Sequence, residues 1–260
     1  MALITLTTDW KTSDFYVGAV KGAIVSLCPN AQVIDLNHQI STFNISQAAF
    51  VVRNSFSYFP KGTVHLIDVN SESTQSYPHI AISYHGHYFL GADNGVFGLL
   101  CREEPDAAVK IDKPMDNECL SFPALHVFAP VAAFLAMGHP INDLGEAGYK
   151  INPQTLIRAT YDEAVITGNV IYIDSYQNAI TNVSKELFEK VGKGRKFEIL
   201  IQSNRYRITR INRKYNETSE GELLALFNSA GLLEIAICMG NVAELINLSL
   251  NSVVRIKFFN

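Results

Sequence analysis

The stretch HLIDVNSESTQSYPH (residues 65–79) carries an alternating apolar run into Asp68 and Asn70, then breaks into polar and turn-forming residues. A strand that hands its last side chains to an open loop is a common seat for chemistry, because the strand is rigid and the loop accessible. Asp68 offers a carboxylate for proton transfer, and Asn70 an amide oxygen that can orient water. Two further stretches carry residues of the same kind. In TTDW (7–10), Asp9 is either a turn residue beside Thr8 and Thr12, or a carboxylate whose oxygens accept both hydroxyls of a ribose diol. In IDSYQNAITN (173–182), Asp174, Asn178, Thr181 and Asn182 are either turn formers or a recognition loop. In the second case Asn178 presents donor and acceptor to a purine edge and Tyr176 stacks on the ring.

Other reactive residues suggest little. Among seven histidines, only His85 and His87 have a close metal-like spacing, and they flank a hairpin glycine and read as solvated. His38 and His126 fall beside the proposed cleft and read as structural hydrogen-bonders. No metal set is expected. Cys28, Cys101, Cys119 and Cys238 show no CxxC spacing and read as free thiols. GxSxG, P-loop and glycine-rich dinucleotide patterns are absent from the sequence.

The elements that must position these residues can be read from periodicity. ALITL (2–6), AQVIDL (31–36) and KGTVHLIDVN (61–70) read as strands. Between them, Val17, Val20, Ile24 and Leu27 recur at helical spacing, with Thr12 or Ser13 as cap and Asp14 at the positive end of the dipole. SQAAFVVRNSFSYF (46–59) reads as a second helix. Alternating strands and helices predict an α/β domain with a largely parallel sheet, whose ligands sit beyond the carboxyl ends of the strands. TTDW, NHQISTF and NSESTQSYPH then share a cleft. HIAISY (79–84) and HYFLGA (87–92) continue the sheet through a His85-Gly86 turn. FAPVAAFLAMG (128–138) reads as a helix with Pro130 in its first turn and Gly138 at its end. Short, evenly spaced strands then predict a smaller all-β, barrel-like domain. The expected division is 1–160 and 161–260.

At 260 residues, 48% hydrophobic and 18% charged, the chain has the composition of a globular protein with a sizeable core. Its net charge of −4 provides no positive field for nucleic acid or an anionic membrane, so a small-molecule ligand is expected. No apolar run reaches the roughly 18 residues of a membrane span. MALITLTTDW lacks a basic segment followed by an apolar signal core, so the expected location is the cytoplasm.

Taken in order, LTTDW, VIDLNHQI, SQAAFVVRNSFSYFPKGTVH, ADNG (92–95), IDSYQNAITN and LLEIAICMGNVAE resemble the S-adenosyl-L-methionine hydroxide adenosyltransferases, a family whose relatives include the fluorinase and chlorinase. The resemblance runs from about residue 3 to 258. It implies a homotrimer whose adenosyl pocket lies between the N-terminal domain of one subunit and the C-terminal domain of a neighbour. It also implies that Asp9 holds the ribose diol, that Asp14 lies near the methionine moiety, and that Phe43 stands at the ribose. Asp174, Tyr176 and Asn178 match a D-x-F-G-N motif, implying methionine contacts from Asp174 and adenine contacts from Asn178. Ser229 and the backbone around Met239 match the segment that closes over methionine and adenine.

The chain departs from that pattern in places. Tyr176 replaces a phenylalanine and Gln177 a glycine. Hydrolases of the family carry an Asp-Pro-Gly loop, an arginine and a later His-Gly-Arg-Asp segment; here those ionisable positions are Asn70, Tyr77 and Pro123. Asp68 lies two residues before Asn70, on the same strand face by alternation. The implied reaction is hydrolysis of S-adenosyl-L-methionine to adenosine and L-methionine. The sulfonium compound is then a substrate, and no cofactor is expected. A binding protein without turnover, adenosyl transfer to halide, or action on another nucleoside through Glu72, His79 and Gln177 are the alternatives. The segment between His79 and Asp93 lacks the insertion typical of the fluorinase, which favours water over halide.

Overall fold

The computed structural model describes residues 2–112, 121–202 and 205–259. It divides into two compact units, Met1–Thr155 and Leu156–Asn260.

In the first unit, β1 (Ala2–Thr8) leads through α1 (Phe15–Leu27) to β2 (Ala31–Asn37), and α2 (Ile45–Arg53) returns the chain to β3 (Val64–Asp68). A hairpin of β4 (His79–Tyr84) and β5 (His87–Ala92) follows, then α3 (Val96–Leu100), β6 (Ala107–Ile111), α4 (Ala129–Ala136) and β7 (Gly145–Ala147). The sheet order is β2-β1-β3-β5-β4-β6-β7. β1 pairs in parallel with both β2 and β3, and β3 with β5; the remaining pairs are antiparallel. The sheet is thus mixed, with the parallel block where the proposed cleft lies.

Both faces of the sheet are buried. Ile4, Leu6, Val64 and Leu66 pack with Val20 and Ile24 of α1 and with Val131, Ala132 and Leu135 of α4. Ile67, Ile80, Ile82 and Phe89 pack on the other face with Ala48, Ala49 and Val52 of α2 and with Phe97 and Leu100 of α3. Because α1 carries the chain from β1 to β2 on one side and α2 carries it back past β1 to β3 on the other, the strand order reverses between β1 and β3. A crevice opens at such a switch point, outside the carboxyl ends of those strands.

Local chemistry adjusts several expected boundaries. Asp14, rather than Thr12 or Ser13, is the N-cap residue of α1, in extended backbone and without a side-chain cap bond. Asn44 caps α2 by accepting from the Gln47 amide at 3.0 Å. That helix ends earlier than the pattern implied, because the Asn54 and Ser55 side chains take up the Phe50 and Val51 carbonyls at 2.8 and 2.6 Å. A single 3-10 turn follows at Phe56–Tyr58. α4 is preceded by a π turn, Ala124–Phe128, in which the Ala129 amide bonds to Ala124. Pro130 has no amide hydrogen to donate, and the backbone widens just before it. Gly138 stops the helix at a φ of 88°. The β4–β5 turn places both His85 and Gly86 at positive φ, as a two-residue hairpin requires.

One histidine expectation is overturned. His85 is exposed and pairs with Glu103 at 3.1 Å, but His87 is buried. Its Nδ1 lies 3.2 Å from His65 Nε2, and His65 Nδ1 lies 2.8 Å from the Thr5 hydroxyl. Alternation along β5 turns His87 into the core, where Phe56 and Phe89 surround it.

The second unit is an antiparallel, nearly closed barrel. It comprises β8 (Thr160–Tyr161), β9 (Val165–Ile173), β10 (Ala179–Ser184), α5 (Lys185–Gly192), β11 (Lys196–Ile201), β12 (Tyr206–Ile208), β13 (Leu223–Phe227), β14 (Leu232–Ile237), α6 (Val242–Leu245) and β15 (Val253–Phe259). The strand order is β12-β11-β15-β9-β10-β14-β13, with β8 on β9. Ile166, Val170, Ile199, Leu233, Ile235 and Ile256 fill the interior. The α/β unit and the smaller barrel-like unit are the architecture expected from the sequence. Cys28, Cys101 and Cys238 are free thiols; Cys119 lies outside the described residues. Among the described residues no helix is long and apolar enough to cross a membrane, and no group of three metal-ligating side chains forms.

Candidate functional site

Thr8 and Asp68 end β1 and β3 in parallel register, so their side chains leave the sheet on the same face. That is the face of α1 and α4, at the switch point. Thr8 donates to or accepts from His38 Nδ1 at 2.7 Å, and His38 Nε2 lies 2.9 Å from Asp35 Oδ1. The Trp10 ring stacks over His38 and meets Phe122 edge-on at a centroid distance of 5.3 Å. Tyr16 packs on both Trp10 and Phe122. The crevice therefore has an aromatic wall made from the first loop, the start of α1 and the segment before α4.

Asp68 is the ionisable group beneath that wall. It is 4% exposed and accepts a hydrogen bond from the Ser71 hydroxyl. Burial pushes its carboxyl up to about 7, against the bonds from Ser71 and the Trp10 side chain, and the Asp9 charge pushes in the same direction as burial. A carboxyl that titrates near neutrality can take up a proton there.

Asp9 turns outward from the end of β1, and its Oδ2 accepts the Phe43 amide at 2.8 Å. A carboxylate has about four acceptor sites, so this bond leaves room for both hydroxyls of a diol. Phe43 occupies left-handed backbone at a φ of 63° and exposes 68% of its surface, so the bond to Asp9 fixes an otherwise unfavoured aromatic position. Asp14 is exposed at the start of α1.

Asn70 is exposed and also left-handed, with a φ of 51°. Its carbonyl accepts from Asn94 Nδ2 at 2.7 Å, and Asn94 also holds the Val69 carbonyl at 3.0 Å. His79 Nε2 lies 2.8 Å from the Ser71 carbonyl, which identifies that nitrogen as the protonated one. Asn152 Nδ2 holds the Ser76 carbonyl at 3.1 Å and the Asp93 carbonyl at 2.7 Å. The polar loop after β3 is thereby tied down at three points along its length. Tyr77 closes a turn with Thr74, and Pro123 enters the helical segment before α4.

In the second unit, Asp174 organises its own loop. Its Oδ1 accepts the Tyr176 and Asn178 amides at 2.9 and 2.8 Å, and its Oδ2 accepts Asn178 Nδ2 at 3.2 Å. Asn178 is buried, Gln177 takes a φ of 64°, and Tyr176 is 79% exposed. The Gln177 carbonyl accepts the Ala243 amide of α6 at 3.1 Å. Met239, 85% exposed with a φ of 55°, forms the turn before α6. Ser229 is exposed in the turn between β13 and β14.

The first unit thus gathers Asp9, Phe43, Asp68 and Asn70 at one sheet edge, with Asp14 nearby in sequence on α1. The barrel gathers Asp174, Tyr176 and Asn178 in one loop. Sequence reasoning did not single out Trp10 and Ser71, which bond Asp68, or Asn94 and Asn152, which anchor the loop. Asn94 sits in the ADNG motif, which was a legible signal; Asn152 lies far from the loop in sequence and gave none.

Residues 4–145 match the S-adenosyl-L-methionine hydroxide adenosyltransferase N-terminal domain, and residues 168–255 match the corresponding C-terminal domain. The chain is 29% identical over 260 residues to the (R)-S-adenosyl-L-methionine hydrolase of Methanocaldococcus jannaschii, covering 94% of this chain and 92% of that one. A fluorinase from an Actinoplanes species is 22% identical over 74% of this chain and 75% of its own. The crystal structure of an uncharacterized conserved protein from Thermotoga maritima superposes with a TM-score of 0.88 at 27% identity, covering 98% of this chain and 99% of that one. With both domains matched in order over most of its length, the chain belongs to the S-adenosyl-L-methionine hydroxide adenosyltransferase family.

Proposed function

We propose that this protein hydrolyses S-adenosyl-L-methionine to adenosine and L-methionine, with Asp68 accepting the proton from water. The observation that carries this reading is the placement of Asp68: a buried carboxyl titrating near 7, at the switch point, beside Asp9. Water forms the C5′–O bond as the C5′–S bond breaks. The bonding pair goes to sulfur, so methionine leaves as a neutral thioether and needs no general acid. The water proton passes to Asp68. General-base assistance of this kind contributes about 10²–10⁴-fold, and alignment of water behind the C–S bond contributes up to roughly 7–11 kcal/mol in ideal cases.

In this reading Asp9 holds the ribose diol with Phe43 against the sugar, and Asn70 orients the water through its amide oxygen. Asp14 lies near the methionine moiety. Asp174, Tyr176, Asn178, Ser229 and Met239 of a neighbouring copy complete the pocket in a cytoplasmic homotrimer, and no cofactor takes part. The 29% identity to a named hydrolase over nearly the whole chain, against 22% and 21% to fluorinases, supports water as the nucleophile.

The test is incubation with S-adenosyl-L-methionine, with and without halide, followed by chromatography of the products beside calorimetric binding. Adenosine and methionine in equal amounts are expected. Binding without turnover would replace this reading with that of an adenosyl-binding protein, for which the substitution of Asn70, Tyr77 and Pro123 at the family's ionisable positions is the supporting observation. A halogenated nucleoside in the presence of halide would establish the transferase reading.

A further inference from the structure

The barrel contains a buried carboxylate that the proposed reaction does not use. Glu234 lies on β14 between Leu233 and Ile235, which enter the core, so its side chain points to the opposite face of the strand. It is nevertheless only 2% exposed. Two donors converge on it: the Tyr215 hydroxyl reaches Oε1 at 2.7 Å and Asn228 Nδ2 reaches Oε2 at 3.1 Å.

Each donor belongs to, or stands beside, a loop already implicated in ligand binding. Asn228 organises the turn that carries Ser229. Its Oδ1 accepts the Ala230 and Leu232 amides at 3.0 and 3.2 Å, its own amide bonds to the Leu232 carbonyl at 3.0 Å, and its carbonyl accepts the Gly231 amide at 2.9 Å. Tyr215 is held near the 174–178 loop through Glu234, which pairs with Ile180, two residues after that loop, in the β10–β14 ladder. Burial and the Glu234 bond push its phenol above the ordinary range, and the charges of Asp174 and Tyr176 act in the same direction. The segment bearing Tyr215 is braced independently, by Asn212 Nδ2 on the Thr218 hydroxyl at 2.6 Å and by the Arg213 amide on Glu217 at 2.9 Å.

We propose that Glu234 is a positioning residue that fixes the Ser229 turn and the Asp174 loop in one mutual geometry, through Asn228 and Tyr215. This rests on the reading above, in which both loops bind the substrate. A carboxylate accepts from both donors at once. A glutamine keeps Asn228 with its oxygen turned to that amide and its NH₂ on the Tyr215 oxygen, whereas a leucine of similar size offers neither bond. Asn228 cannot turn its amide over, because its oxygen already holds two backbone amides.

The test compares Glu234→Leu and Tyr215→Phe with the full-length protein. Steady-state turnover of S-adenosyl-L-methionine is measured together with amide hydrogen exchange at Ala230 and Leu232 in the ligand-free protein. Glu234→Leu is expected to raise KM about tenfold with kcat within about twofold of the original, and to speed exchange at both amides. Tyr215→Phe is expected to raise KM severalfold and to leave that exchange unchanged, because the Asn228 bond survives. An unchanged KM and unchanged exchange in Glu234→Leu would overturn the proposal, as would a fall in kcat at constant KM. If the original protein neither binds nor turns over S-adenosyl-L-methionine, the functional reading fails, and the exchange measurement still decides whether Glu234 organises the turn. If Glu234→Leu does not fold, Tyr215→Phe decides: an unaltered KM overturns the proposal.

Discussion

Asp68 ends β3 and Asp9 follows the last residue of the neighbouring parallel strand β1, and the charge of Asp9 adds to burial in holding a proton on Asp68. One carboxylate faces outward and binds the Phe43 amide, while the other is enclosed under Trp10 and Ser71. Two groups of the same type are thereby given different tasks by their surroundings, the outer one accepting hydrogen bonds and the inner one poised for proton transfer.

The acid limb of activity should report Asp68. Activity rises with pH as the carboxyl ionises, with a midpoint near 7. Ser71→Ala and Trp10→Phe each remove a bond that favours the ionised form, so each should move the acid limb of kcat to higher pH. A limb that stays in place in both variants would remove Asp68 as the titrating base.

Asp9→Asn should act in two separable ways. Loss of the acceptor charge should weaken substrate binding by about tenfold or more, read by calorimetry. Loss of its repulsion should lower the Asp68 midpoint, moving any remaining acid limb to lower pH. Unchanged affinity would contradict the assignment of the diol to Asp9.

Asp68→Asn should abolish most turnover while raising stability above pH 7 by about 1–3 kcal/mol. The native carboxyl holds its proton up to about 7, whereas a carboxyl in the unfolded chain releases it near 3.8. Between those values the native state binds more protons, so this group makes stability fall as pH rises, and the full cost is present above 7. Chemical denaturation at pH 5 and pH 8 should show the variant gaining mainly at the higher pH. An equal gain at both would point to packing instead.

His65 works in the opposite direction. Burial, with a smaller contribution from His87, pushes it down to about 3, so the native state stays neutral where an unfolded histidine takes up a proton. Stability from this group is complete above about 6.5 and is lost as pH falls from there towards 3. His65→Gln keeps a polar partner for the Thr5 hydroxyl and should flatten the decline between pH 6.5 and 4.5 in urea titrations. A decline as steep as in the original protein would assign the acid sensitivity to other groups.

Much of this protein is legible from local pattern. The order of strands and helices, the hairpin at His85-Gly86 and the change to short strands follow from periodicity and turn chemistry, which act over a few residues. The same is true of where the chemistry should gather, because parallel strands with crossover helices bring their carboxyl ends to one edge. Residue type and position at those ends were sufficient to name Asp9, Asp68 and Asn70.

Tertiary structure alone decided which of these residues is buried. Asp68 and Asn70 are two residues apart, yet one is enclosed and titrates near 7 while the other is exposed in left-handed backbone. That difference comes from burial, with the Asp9 charge acting in the same direction and the Ser71 and Trp10 bonds opposing both; only Ser71 is close to Asp68 in sequence. His87 likewise reads as a solvated neighbour of His85 until its strand is seen to face Phe56 and Phe89. Desolvation and charge repulsion depend on what surrounds a side chain in three dimensions, so the sequence named the groups and the packing set their proton affinities.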